Sequence, residues 1–167
     1  MDLDLRHDDS KKPQFRRPIQ VSDLNQVGDQ DNWRCWLCDQ PVDPDASVNS
    51  DLGPSVDSYD ATRVKKGKPY VERLAHRMCN TMKGKNKPVA PWSKDIFVVD
   101  PTPLVEVVER LDRKGGREVV ARCPDLDDAQ QASDWLLDRL SRLAPGVNFT
   151  TELNPGGGQY MLVLRVN

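Results

Sequence analysis

Two pairs of ligand-type residues, Cys35-Trp-Leu-Cys38 and His76-Arg-Met-Cys79, constrain this chain more than any other feature. Each pair leaves two residues between its ligands, the usual spacing of a tetrahedral Cys₃His zinc site. A knuckle-like turn at Cys35–Cys38 aims two thiolates at one point. A helix places His76 and Cys79 on one face, because positions i and i+3 are neighbours. Zn²⁺ has no d-electron preference for another geometry and accepts mixed sulfur and nitrogen donors. The competing readings are disulfides and a redox-active pair. Cys123 stands far from the other three cysteines, and residues 1–18 do not read as a secretory segment. Nothing around Cys35 resembles the βαβ context of a thioredoxin-type site. Structural Zn²⁺ on Cys35, Cys38, His76 and Cys79 is the expectation, in a reducing, cytoplasmic setting.

The chain has 167 residues, 37% hydrophobic and 30% charged. That length allows one medium domain or two small ones. A small N-terminal unit with so modest an apolar content is short of core, and a bound metal is a common remedy. The net charge of −2 conceals an asymmetry. Residues 60–95 carry ten Lys/Arg against three Asp/Glu, a surplus of seven, whereas residues 101–167 carry eight against ten. No apolar run approaches the roughly 20 residues that cross a bilayer, so no membrane partner is expected.

Punctuation divides the chain in three. Residues 1–18 read as a polar, disordered tail. Residues 19–91 form the metal unit, in which 43–60 is loop or irregular hairpin and a helix is expected from near Tyr70 towards Met82, with Val71, Leu74, Ala75 and Met78 packing. Gly84 stops that helix, and Lys87-Pro-Val-Ala-Pro91 is an exit linker. Residues 94–167 carry the order β-α-β-α-β-β. Ile96–Val99 is a strand candidate. Leu104, Val107, Val108 and Leu111 form a helical stripe closed by Gly115-Gly116, and Glu118–Cys123 is a second strand. Ala129, Ala132, Leu136, Leu140 and Leu143 mark a second helix with an Asp-rich start. Val147–Leu153 and Tyr160–Val166 form a hairpin about Asn154-Pro-Gly-Gly-Gly158. The class is α+β: a metal-stapled ββα unit, then two helices on one face of a small mixed sheet.

The run Cys35-Trp-Leu-Cys38-Asp-Gln-Pro-Val, then Ser55-Val-Asp-Ser58, then Leu74-Ala-His-Arg-Met-Cys-Asn80-Thr-Met-Lys83-Gly84 resembles the zinc-containing HNH endonucleases of bacteria and phages. The resemblance covers about residues 33–86. It implies a ββα-metal fold, in which a hairpin and a helix grip a catalytic divalent ion, Mg²⁺ or Mn²⁺, apart from the zinc staple. In that family a Val-Asp-His strand supplies a metal-binding Asp and a general-base His. Val56 and Asp57 match, but Ser58 stands at the base position. The later Asn or His corresponds to Asn80. The middle Asn falls near Val71, which cannot make its hydrogen bonds.

An alkanol hydroxyl has far too high a pKa to accept a proton from an attacking water, and losing such a base typically forfeits about 10²–10⁴-fold in rate. His76 is committed to zinc, and the other histidine is His7. The resemblance therefore implies a nucleic-acid-binding pseudo-nuclease, with a vestigial site at Asp57 and Asn80. Binding of DNA or structured RNA is expected through Lys65, Lys66, Arg77, Lys83, Lys85 and Lys87, whose charges suit phosphates. Trp33, Trp36 and Trp92 either stack on unpaired bases or belong to the core. Two alternatives stay open. One is an active endonuclease relying on a metal-lowered water pKa; the other is a zinc-stabilised protein-interaction module whose acidic C-terminal unit meets a protein partner.

Residues 94–167, with Asp128-Ala-Gln-Gln-Ala-Ser-Asp-Trp-Leu-Leu-Asp-Arg-Leu140 and Gly158-Gln-Tyr-Met-Leu-Val-Leu164, are similar to the C-terminal domain of translation initiation factor three. That likeness implies contact with ribosomal RNA. The family domain is basic, and this unit is not.

Overall fold

In the computed structural model, residues 23–58 and 72–167 are described. The expected tail, Lys65, Lys66 and Val71 lie outside them. The architecture is α+β, with a metal-cluster unit of ββα type followed by alternating helices and strands.

The N-terminal unit opens with α1 (Leu24–Gln30), a short helix that the sequence reading did not identify. Asp23 caps it by accepting from the Asn25 amide at 3.0 Å, which satisfies one of the donors a helix start leaves free. Only Val27 and Gly28 are buried on it, so its stripe is too short to show as periodicity.

The expected Tyr70–Met82 helix is corrected. Glu72–His76 is strand β2, paired antiparallel with β1 (Pro54–Ser58), and only Arg77–Lys83 is helical, as α2. Leu-Ala is a good helical dipeptide, but tertiary partners override that preference. The Leu74 amide donates to the Asp31 carboxylate at 2.6 Å, and the Leu74 carbonyl accepts from the Trp36 amide at 2.9 Å. Both backbone groups of Leu74 thus find partners that a helix would have refused. Met78, expected to pack, is exposed on α2.

The preceding loop has a purpose at α2. Gly53 O accepts from the Arg77 amide, and Asp51 O from the Met78 amide, each at 2.9 Å. These carbonyls occupy the first turn of a helix whose cap residue, His76, makes no side-chain cap bond. At Gly53 a Cβ would stand 1.9 Å from the Ser47 carbonyl oxygen, so the loop closes only around glycine.

In the C-terminal unit α3 (Leu104–Lys114) and α4 (Leu126–Leu143) lie on a three-stranded sheet. Its strands are β3 (Gly116–Cys123), β4 (Phe149–Gly156) and β5 (Gln159–Val166), in the order β3-β5-β4. Every pairing is antiparallel, not mixed. The expected strand at Ile96–Val99 shrinks to one bridge, Val99 with Arg122. Asp100 takes a left-handed turn at φ +49°, and Pro101 and Pro103 remove donors, so no ladder can continue. The β4–β5 hairpin runs further than expected, to a two-residue turn at Gly157-Gly158 with φ +62° and +78°. Two positive values in succession are what a twist-matched tight turn requires.

Two apolar clusters result. One gathers Leu104, Leu111, Leu136, Leu140, Leu162 and Leu164 between helices and sheet. The other gathers Val27, Trp36, Leu37, Val42, Leu74 and Ala75 around the cysteines.

Candidate metal centre and the hairpin around it

Cys35 and Cys38 lie on a tight loop after α1, His76 ends β2, and Cys79 sits in the first turn of α2. Their ligand atoms all fall within 4.8 Å of one another. His76 Nδ1 is 3.4 Å from Cys38 Sγ and 4.0 Å from Cys79 Sγ. A tetrahedral ion with sulfur at about 2.3 Å and nitrogen at about 2.0 Å sets these atoms about 3.5 Å apart. The four residues therefore fit a divalent metal.

The surroundings orient each ligand. His76 Nε2 lies 3.0 Å from the Pro41 carbonyl oxygen. Donating its proton there leaves the Nδ1 lone pair facing the thiols, the usual outer partner of a metal-bound histidine. The His76 amide donates to Cys35 Sγ at 3.4 Å. The loop closes through Cys35 N to Gln40 O (2.9 Å) and Asp39 N to Cys35 O (2.8 Å), with Asp39 at φ +64°.

Three thiols at one point cannot ionise independently. The Cys38 hydrogen bond draws the Cys35 thiol down to about 5, and the same bond pushes Cys38 far upward. Burial, then the charge of Cys35, raises Cys79. A divalent cation resolves that conflict, because metal binding takes thiols as thiolates. All four positions come from protein, which is the closed arrangement of a structural site. Cys38 is the half-exposed ligand and lines a groove of about 380 Å³ with Leu37, Met82 and Lys87.

Beside this centre stands a second polar cluster. Asp57 on β1 is only 5% exposed. It accepts from Trp36 Nε1 and from Lys83 Nζ, each at 3.1 Å. Asn80 turns its Nδ2 to Ser55 Oγ (2.9 Å) and the Val56 carbonyl (3.2 Å). Ser58 is exposed at the strand end, opposite Glu72. Asp57 is thus no loop residue, and a lysine ammonium already neutralises it.

The basic residues are dispersed. Arg77 is exposed and pairs with Asp51 at 3.2 Å. Lys83 is held inward by Asp57, and Lys87 pairs with Glu109 of α3 at 3.1 Å. Lys85 is exposed. The tryptophans are structural. Trp36 is buried, Trp33 bonds Asp29 and covers Gly28, and Trp92 bonds the Thr102 carbonyl and packs on Trp135 at 5.4 Å.

The sequence reading missed a seam of arginines. Arg139 and Arg142 of α4 both reach Asp39, one residue past Cys38. Arg73 of β2 donates to Asp31 at 3.0 Å and to the Leu143 carbonyl at 3.1 Å. Its guanidinium carbon also lies 5.7 Å from the Trp36 ring centroid. The only sequence signal was a pair of arginines, Arg139 and Arg142, three apart on an otherwise acidic helix.

Among the described residues no helix is long and apolar enough to cross a membrane. Comparison with family models, curated proteins and solved structures found no match to this chain. The Cys₃His cluster on a ββα arrangement is thus a metal-stabilised structural module, identified by its own geometry.

Proposed function

We propose that this chain is a nucleic-acid-binding protein on a zinc-stapled, HNH-like ββα scaffold that does not cleave efficiently. Zn²⁺ is the ion assigned to Cys35, Cys38, His76 and Cys79, because three thiolates and an imidazole favour it over hard cations. Residues 19–91 form the zinc unit and 94–167 the second unit of this reading.

The observation that carries it is the Lys83–Asp57 contact at 3.1 Å, with both side chains at most a tenth exposed. A carboxylate meant to hold a catalytic divalent ion needs that side free. Here an ammonium supplies the positive charge, and Asn80 spends its amide on β1. Ser58 adds no proton acceptor, since a hydroxyl cannot act as a base near neutral pH. Phosphate contact falls to Arg77, Lys85 and Lys87 on and after α2, with Lys65 and Lys66 ahead of β2.

The test incubates the full chain with duplex and single-stranded DNA and RNA, with Mg²⁺ or Mn²⁺, following retention and cutting together. Retention without cutting is expected, weakened by added salt and by Arg77→Gln, Lys85→Gln and Lys87→Gln combined. Cutting by the unaltered protein that disappears in Asp57→Ala would establish a working nuclease instead. Absence of retention on every nucleic acid would point to a protein-interaction module. Elemental analysis should return one zinc per chain.

A further inference from the structure

The two helices cover one face of the C-terminal sheet, and on the other face Val163 is 5% exposed between more exposed neighbours such as Val119 at 47%. Both helices pack on the face carrying Ala121, Cys123, Leu162 and Leu164. Side chains alternate along a strand, and the bulge between Val119 and Ala121 also sends Val120 into that core, so Arg117, Val119, Arg122, Met161, Val163 and Arg165 are the residues that point away. Register places Arg117 opposite Arg165, Val119 opposite Val163 and Arg122 opposite Met161 on that other face, with Glu152 beside Val163. Three arginines therefore stand with Glu152, the one carboxylate the strands place on that face, and with Asp100 beside Arg122. Glu118, the one acid of β3, faces the helices and pairs with Arg110 at 2.8 Å.

The charge there is poorly satisfied. Like charges directly across a strand pair repel, and Arg117 and Arg165 are such a pair. Glu152 serves both, at 3.5 Å each. Arg122 has Asp100 at 3.9 Å. All three guanidinium side chains are more than half exposed. The net −2 of residues 101–167 does not describe this face, because Asp125, Asp127, Asp128, Asp134 and Asp138 lie on α4 and its cap.

An aromatic ring completes the surface. Ile96 and Val98 pack against the core, whereas Phe97 between them is exposed, two residues from Val99, the bridge partner of Arg122. Phe97 is 60% exposed, whereas the tryptophans are committed to packing.

We infer that the outer face of the C-terminal sheet is a platform for single-stranded nucleic acid. Arg117, Arg122 and Arg165 take phosphates, and Phe97 stacks on an unpaired base. Guanidinium forks match phosphate oxygens, and an exposed ring offers a base the contact that an acidic peptide has no use for. The inference rests on the nucleic-acid reading above and assigns it a surface separate from the zinc unit.

The experiment follows fluorescence anisotropy of labelled oligouridylate with the full chain across a salt series. Arg117→Gln/Arg165→Gln should weaken binding about tenfold and flatten the log–log salt slope by about 1.4, two phosphate contacts at about 0.7 each. Phe97→Ala should weaken it about tenfold with the slope unchanged. Thermal melts should show the double arginine variant at least as stable as the parent, since it removes a repulsion. Crosslinks from 4-thiouridine should fall on the peptide containing Phe97. If these variants bind like the parent while Arg77→Gln/Lys85→Gln/Lys87→Gln does not, the platform is refuted and the zinc-unit reading stands. If the parent binds no oligonucleotide, both fall. Preference for polyglutamate over oligouridylate would make the face a protein-docking surface and overturn the inference.

Discussion

Arg139 of α4 donates through Nη2 to the carbonyl oxygen of Trp36 at 2.7 Å, inside the loop between the first two metal ligands. The same nitrogen reaches the Leu37 carbonyl at 3.2 Å, and Nη1 reaches Asp39 at 3.1 Å. Burial lowers the Arg139 pKa against the opposing pull of Asp39, and its Nε is buried with no hydrogen-bond partner. A desolvated guanidinium therefore depends on a loop whose shape the metal holds.

Arg139→Met should destabilise the protein by about 3 kcal/mol, the order seen when a buried charged partner is removed. Arg34 and Arg142 remain on Asp39, which keeps the loss from growing larger. Because coupling is reciprocal, metal affinity should also fall, by about fivefold or more. Urea denaturation and competition with a chromophoric chelator measure the two effects. An unchanged metal affinity would separate α4 from the centre.

Metal removal should expose thiols unequally. With chelator, loss of the ion should loosen the loop around the ligands, so that a disulfide reagent titrates Cys35, Cys38 and Cys79 without denaturant. Cys123 is buried in the other core, and burial followed by the charges of Asp128 and Asp125 raises its pKa. It should react only in denaturant. Four rapid thiols without denaturant would contradict the separate cores.

Lys83→Met leaves the Asp57 carboxylate buried without its ammonium partner, with the Trp36 indole still donating to it. The cost should be about 1–3 kcal/mol. Adding Asp57→Asn should recover much of it, and a double-mutant cycle on the denaturation midpoints reads the coupling. A cycle that closes at zero would mean the contact adds nothing in solution.

Acid should remove one surface contribution in a defined window. Hydrogen bonding from Arg110, then its charge, holds the Glu118 carboxyl below its ordinary 4.5. A depressed folded pKa means the unfolded chain takes up the proton first, so the stabilisation is full above 4.5 and fades as pH falls through the lower value. The stability difference between the parent and Glu118→Gln should be flat from neutrality to about pH 5 and close below it. A difference that widens on acidification would reverse the assigned sign.

Much of the fold was legible along the chain. The ligand spacing announced one shared point for Cys35, Cys38, His76 and Cys79, and their atoms do converge. The stripes of α3 and α4 were also readable, because amphipathic helices of 11 and 18 residues repeat their pattern several times. Short elements were not. α1 has 7 residues and β2 has 5, too few to establish a period. β2 also reads locally as helix.

Ligand chemistry and long periodicities are local properties, so a linear string carries them whole. Which partner receives a buried charge is not local. Asp57 meets Lys83 across 26 residues and Arg139 meets Asp39 across 100, and only three-dimensional packing brings such groups within hydrogen-bond range. The three arginines of the sheet face are the same case, because strand register, with the bulge between Val119 and Ala121, sets them on one side. A one-residue slip in that register would have turned them into the core.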